Sequence, residues 1–235
     1  MERRRFLGSC VAAVTGAAGV AALDAAAAQA APRLYGRSLL VDPKGDPVRA
    51  ARLAVDTNYL FHYPYAATPC FLLNLGRSVA APATLRRTDG ATYAWQGGVG
   101  AARAIVGFSA ICAHKLAYPT REVSFIRYQP QPSASSDAKV IHCCADHSVY
   151  DPAQGARVRS GPAPQPLAAI LLEHDAATDA IHAIGTAGAE QFDAFFDKYE
   201  FKLAMEYGQG KARLPVGART TVHELVNYCR QTIQC

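Results

Sequence analysis

Residues 142–164 read HCCADHSVYDPAQGARVRSGPAP. A short β-type run, 139–142, leads into two adjacent cysteines, Cys143 and Cys144, flanked by His142 and His147. A Tyr150-Asp151 pair follows, and then the turn Gly161-Pro162-Ala163-Pro164. Sulfur and imidazole donors this close in sequence are metal-ligand chemistry. His142 itself reads as an ordinary strand residue.

Two ligand pairs stand out. Cys112-Ala113-His114 is a C-x-H pair, and Cys144-Ala145-Asp146-His147 is a C-x-x-H pair. One thiolate and one imidazole from each of two loops makes a four-ligand set: Cys112, His114, Cys144 and His147. Such a set suits a tetrahedral Zn²⁺. It also suits a [2Fe–2S] cluster with two thiolates on one iron and two imidazoles on the other.

The segment after the second pair favours the cluster. Tyr150-Asp151 followed by Gly161-Pro162-Ala163-Pro164 resembles, in order and spacing, the corresponding stretch of Rieske iron–sulfur proteins of cytochrome bc complexes. The specific likeness covers about 105–185, with a looser one from about 55. TPCFLLNLG (residues 68–76) and the chain length resemble the Rieske subunit of arsenite oxidase. The resemblance implies an all-β fold: an antiparallel β-sandwich base, a cluster-binding subdomain over about 105–166, and one or two short peripheral helices. It implies a [2Fe–2S] cofactor, with His114 and His147 at an exposed tip. Ser148 and Tyr150 are expected to donate hydrogen bonds to the sulfurs, and the proline loop with Gly161 and Pro162 to cover one side. The implied partners are a larger catalytic oxidoreductase subunit or a cytochrome b, and a cytochrome c.

The sequence also departs from the family. The two extra cysteines that form a disulfide in the bc type are replaced by Ala117 and Asp146. Lys115-Leu116 stands for the usual Leu-Gly and puts a cation beside the cluster. The gap from His147 to Tyr150 is one residue short. Counting back from Tyr150 makes Cys143 the ligand, whereas the C-x-x-H rule makes it Cys144. The two-residue gap governs convergence on one metal, so Cys144 is the expected ligand.

The rest of the chain sets the context. At 235 residues, half of them apolar, and with a net charge of +5, it suits one medium domain with ample core. Apart from Arg3–Arg5 there is no block of like charge, which argues against nucleic-acid binding. Residues 1–30 run from those arginines through an Ala/Val/Gly stretch to Ala28-Gln29-Ala30. That is the layout of an export signal, and Arg3-Arg4-Arg5-Phe6-Leu7 fits the twin-arginine pattern. The sequence thus predicts a periplasmic protein, with a retained membrane anchor as the alternative. The mature domain would be 31–235.

Short β-type runs punctuated by Pro and Gly recur from residue 34 to about 128, and 129–137 (QPQPSASSD) is a proline-rich loop. Runs 167–173 and 180–184 flank a polar turn and predict a hairpin. In the C-terminal extension, about 186–235, residues 192–199 suggest one helix. Val222, Leu225, Val226, Cys229 and Ile233 make a helical stripe with Thr221 and Glu224 at capping-box spacing, which predicts a second. Four cysteines outside the ligand set, Cys70, Cys143, Cys229 and Cys235, could form disulfides. Cys229 with Cys235 is the pairing easiest to close, and Cys70 suits core packing equally well. No catalytic triad or phosphate-binding loop is apparent. The expected role is one-electron transfer by a subunit or shuttle of arsenite-oxidase type, with a quinol-oxidising subunit or a zinc-stabilised binding protein as alternatives.

Overall fold

The computed structural model describes residues 29–79 and 81–235. Residues 1–28, most of the export-signal segment, lie outside the described residues. Among the described residues no helix is long and apolar enough to cross a membrane.

The strands run β1 (Arg33–Val41), β2 (Tyr59–His62), β3 (Pro69–Asn74), β4 (Ala83–Arg86), β5 (Thr92–Trp95) and β6 (Ile105–Ser109). Then come β7 (Val123–Ser124), β8 (Ile126–Gln129), β9 (Val140–Cys143), β10 (Ser148–Asp151) and β11 (Arg157–Ser160). The hairpin β12 (Ala169–Asp175) and β13 (Ala180–Ala187) precedes helix α1 (Phe192–Tyr207). The chain ends through β14 (Arg219–Thr221), β15 (His223–Glu224), the single turn α2 (Leu225–Tyr228) and β16 (Gln231–Thr232). The fold is all-β, as the sequence predicts.

An eight-stranded sheet in the order β14-β1-β13-β12-β6-β3-β2-β15 forms the base. A four-stranded sheet, β11-β10-β9-β8, carries the second cysteine loop. Pairing is antiparallel except for β1 with β14 and β7 with β16. The apolar runs in β3 and β6 follow from burial of both sheet faces, which removes the usual polar alternation. Leu60, Phe71, Leu73, Val106 and Phe108 enter one core, and Phe61, Cys70, Leu72 and Ile105 enter the other. Each large side chain so buried contributes about 1.5–3 kcal/mol. Cys70 is a free thiol in this core and donates to Tyr63 O at 3.1 Å.

A third core ties the C-terminal extension to the first cysteine loop. Phe192, Phe195, Phe196 and Leu203 of α1 pack on Ile111 and Tyr118. The Phe195 and Tyr118 rings meet edge to face with centroids 4.9 Å apart. Gln191 Nε2 donates to Ala113 O at 2.8 Å, and Lys198 Nζ donates to Lys115 O. The predicted helix over 192–199 is thus real and reaches Tyr207, kinked at Tyr199.

The predicted terminal helix needs correction. Val222, Leu225 and Cys229 are buried, but Val226 is 70% exposed, and only one helical turn forms. The flanking residues pair instead as edge strands, β15 on β2 and β16 beside β7. Tertiary pairing outweighs a weak local preference in so short a segment.

This edge also gives a pH dependence. His62, at the end of β2, lies 3.4 Å from the Tyr228 hydroxyl. Burial first, and then the charges of Arg121 and His223, push its pKa down to about 4 from 6.5. The unfolded chain therefore takes up this proton near 6.5 and the folded chain only near 4. Stability contributed here is complete above about 6.5 and declines as pH falls towards 4. Urea midpoints from pH 7 to 4 should decline more steeply in the wild type than in His62→Gln; parallel profiles would exclude His62 as the source.

Candidate metal centre

The first loop leaves β6 and turns at once. Cys112 N donates to Ala117 O at 2.9 Å and Leu116 N to Cys112 O at 3.0 Å, with Leu116 at φ 58 closing the turn. Cys112 is fully buried, while His114 and Lys115 are exposed.

The second loop is the β9–β10 hairpin, in which Ser148 sits opposite Cys143 and Tyr150 opposite Ile141. His147 N donates to Cys143 O at 2.7 Å, and His147 takes φ 59 to close the turn. Successive strand residues face opposite sides. Ile141 and Cys143 therefore join the core under the first loop, and His142 points the other way.

Two separate clusters result. In the first, Cys112, Cys143 and Asp146 bring their ligand atoms within 4.8 Å of one another. Asp146 Oδ2 lies 3.2 Å from Cys112 Sγ and 3.0 Å from His114 Nδ1. The second cluster is His142, His147 and Cys235. Cys144 is bonded to Cys235 in a disulfide.

The expected ligand set is corrected in two places. A disulfide sulfur has no thiolate to offer, so Cys144 is not the partner of Cys112; the sulfur beside Cys112 is that of Cys143. His147 packs its ring on His142, with centroids 5.8 Å apart, away from the paired thiols. The pairing of Cys229 with Cys235 is likewise replaced, since Cys229 is a free buried thiol. Cys112 and His114 do stand at one site.

Electrostatics at the thiol pair are asymmetric. The Cys143 thiol, hydrogen-bonded to Cys112, lowers the Cys112 pKa most; burial opposes it, and the Tyr150 hydroxyl and the N–H groups of His114 and Lys115 assist. Cys143 is pushed up, first by that same contact and then by burial. The protein alone thus favours one thiolate over two. Burial would raise the Asp146 carboxyl, but the N–H of Ser148 and the two thiols outweigh it and hold it below the usual carboxylate range.

Of the expected supporting residues, Tyr150 is fully buried with its hydroxyl 3.4 Å from Cys112 Sγ. That oxygen accepts from Ala113 N at 3.1 Å, which leaves its own proton free for the sulfur. The Ser148 hydroxyl is buried and has no partner. Gly161, at φ +89, lies against the second loop, where a Cβ would come 2.5 Å from His147 O and 2.6 Å from Ser148 Cα. Pro162 is exposed and Lys115 reaches the site through its backbone N–H.

Sequence reasoning missed Asp146, Gln191 and the Cys144–Cys235 bridge. The count back from Tyr150 was the signal for Cys143, because residues 143, 148 and 150 fall on one face of a hairpin closed by a four-residue turn.

No protein-family model matches the chain. The chain is similar to the soluble domain of the Rieske protein II (soxF) from Sulfolobus acidocaldarius, at 26% sequence identity over 65% of this chain and 78% of that one, with a TM-score of 0.46.

Proposed function

We propose that this protein is a Rieske-type [2Fe–2S] electron-transfer protein. The observation that carries the proposal is the meeting of two fully buried thiols, Cys112 and Cys143, from two different loops, with the Tyr150 hydroxyl on one sulfur. The unpartnered, buried Ser148 hydroxyl opposite Cys143 fits the same purpose, since a sulfur-rich group placed there would accept its hydrogen bond. When bound, a cluster of this class exchanges single electrons at a potential tuned by its ligands and hydrogen bonds.

The chain's own residues divide the work. Cys112 and Cys143 hold the inner side, and His114 marks the solvent-facing side. α1 and the β9–β10 hairpin fix the two loops. The protein offers no substrate chemistry of its own at this site, so it works as a subunit or shuttle. The leader at 1–30 supports export to the periplasm by the twin-arginine route, and the likeness to arsenite-oxidase small subunits supports a larger catalytic oxidoreductase subunit as donor and a cytochrome c as acceptor. N-terminal sequencing of the native protein tests the leader, because retention favours a membrane-anchored quinol-oxidising subunit.

The decisive experiment is metal and sulfide analysis of purified protein with visible absorption and EPR after reduction. Two irons and two labile sulfides per chain, with a rhombic signal of the reduced protein, is the expected result. A colourless protein holding one zinc would sink the proposal, since two thiolates with two further donors also suit zinc.

Tuning by Tyr150 is measurable. A hydrogen bond that strengthens by about 1 kcal/mol on reduction is worth roughly 40 mV for a one-electron couple. Tyr150→Phe should lower the midpoint by that order in a redox titration; an unchanged midpoint means the hydroxyl does not act on the sulfur.

A further inference from the structure

The geometry points to Asp146, in place of a second histidine, as the fourth cluster ligand, giving two thiolates, one imidazole and one carboxylate. This rests on the [2Fe–2S] reading above and goes beyond it in the identity of the donors.

The Asp146 side chain is only 2% exposed. Its two oxygens have separate surroundings. Oδ1 accepts from Ser148 N at 3.0 Å, an ordinary loop-closing bond that accounts for half of the carboxylate. Oδ2 is not accounted for by the turn. It faces Cys112 Sγ at 3.2 Å and His114 Nδ1 at 3.0 Å, and belongs to the same 4.8 Å group as Cys143.

Three donors that are anionic as ligands therefore crowd one buried point. In the metal-free chain the Cys112 thiol and the His114 ring are the partners of Oδ2, and all three would turn to a cation that joined them. A metal centre there takes all four donors. The Ser148 hydroxyl, buried opposite Cys143 and without a hydrogen-bond partner, is a second observation at the same place.

His147 cannot serve without rearrangement of the loop. Its backbone N–H is committed to Cys143 O, and its ring lies in the other cluster with His142 and Cys235. The Cys144–Cys235 bridge holds that side of the hairpin. Cys143-x-x-Asp146 also keeps the two-residue gap that lets both ends of the motif converge.

A carboxylate brings a negative charge where an imidazole is neutral, so an added electron is held less tightly.

The full-length protein, labelled with ¹⁵N-histidine and reduced, should show one directly coordinated histidine nitrogen by pulsed EPR. His147→Ala should leave that coupling unchanged. Asp146→His should show two couplings and a raised midpoint potential. Two couplings in the wild type, or a coupling lost in His147→Ala, would overturn the assignment while leaving the iron–sulfur reading intact. Absence of any iron–sulfide signal in the wild type would remove the reading itself and this assignment with it. The native count does not depend on whether Asp146→His folds.

Discussion

With the proposed cluster at this site, Cys143→Ser should lose the iron entirely, whereas Cys144→Ser should keep the wild-type iron content. The two residues are neighbours with the same chemistry, so only the direction of the side chain separates them. Cys143 is fully buried beside Cys112, at the end of β9 and on the same face as Ile141. Serine there offers a far poorer ligand at a fully buried position. Cys144 lies on the far side, bonded to Cys235. Its loss opens the bridge and should cost about 2–4 kcal/mol of stability without touching the donors. Iron analysis and absorption spectra of the two variants decide the matter. Iron retained in Cys143→Ser and lost in Cys144→Ser would return the ligand to Cys144 and require the loop to rearrange on metal binding.

Phe195→Ala should be the most damaging substitution in the C-terminal extension. Phe195 is fully buried among Tyr118, Phe196 and Tyr199, with ring centroids 4.9 to 5.5 Å away. Truncation removes the ring and leaves a cavity, at a cost of about 3–5 kcal/mol. On the same helix, Phe201 is 79% exposed, and Phe201→Ala should change stability by no more than about 0.5 kcal/mol. Urea midpoints of the two variants make the comparison. Equal losses would mean that α1 does not rest on the 111–118 loop through Phe195. Because that loop carries Cys112 and His114, the proposed cluster should be lost from Phe195→Ala at denaturant concentrations at which the wild type would keep it.

The two cases show what sequence carries and what it withholds. The short β-type runs, the hairpin over 167–184 and the first helix follow from local patterns and turn residues; the hairpin and the helix also satisfy their hydrogen bonds with near neighbours. Cys112 and His114 stand out only beside the second Cys–His pair, Tyr150-Asp151 and the Gly161–Pro164 turn, since a C-x-H alone is common by chance. The choice between Cys143 and Cys144 is not legible, since it depends on strand parity, and parity depends on where the β9–β10 turn begins. A four-residue turn over 144–147 puts Cys143, Ser148 and Tyr150 on one face. Counting ligand spacing from His147 assumes a turn one residue displaced. The terminal stripe misled for a related reason: Val222, Leu225 and Cys229 are buried as expected, yet strands from distant parts of the chain claim the backbone on either side. The bridge from Cys144 to Cys235 spans 91 residues, a distance over which no local pattern informs.

The contact at Gly161 has a directional consequence. Main chain meets main chain there so closely that no side chain fits between the proline turn and residues 147–148. Residues 147–148 are closed off on that side by the proline turn. In the proposed electron-transfer role, the exposed ring of His114 is the part of the site that a partner would meet first.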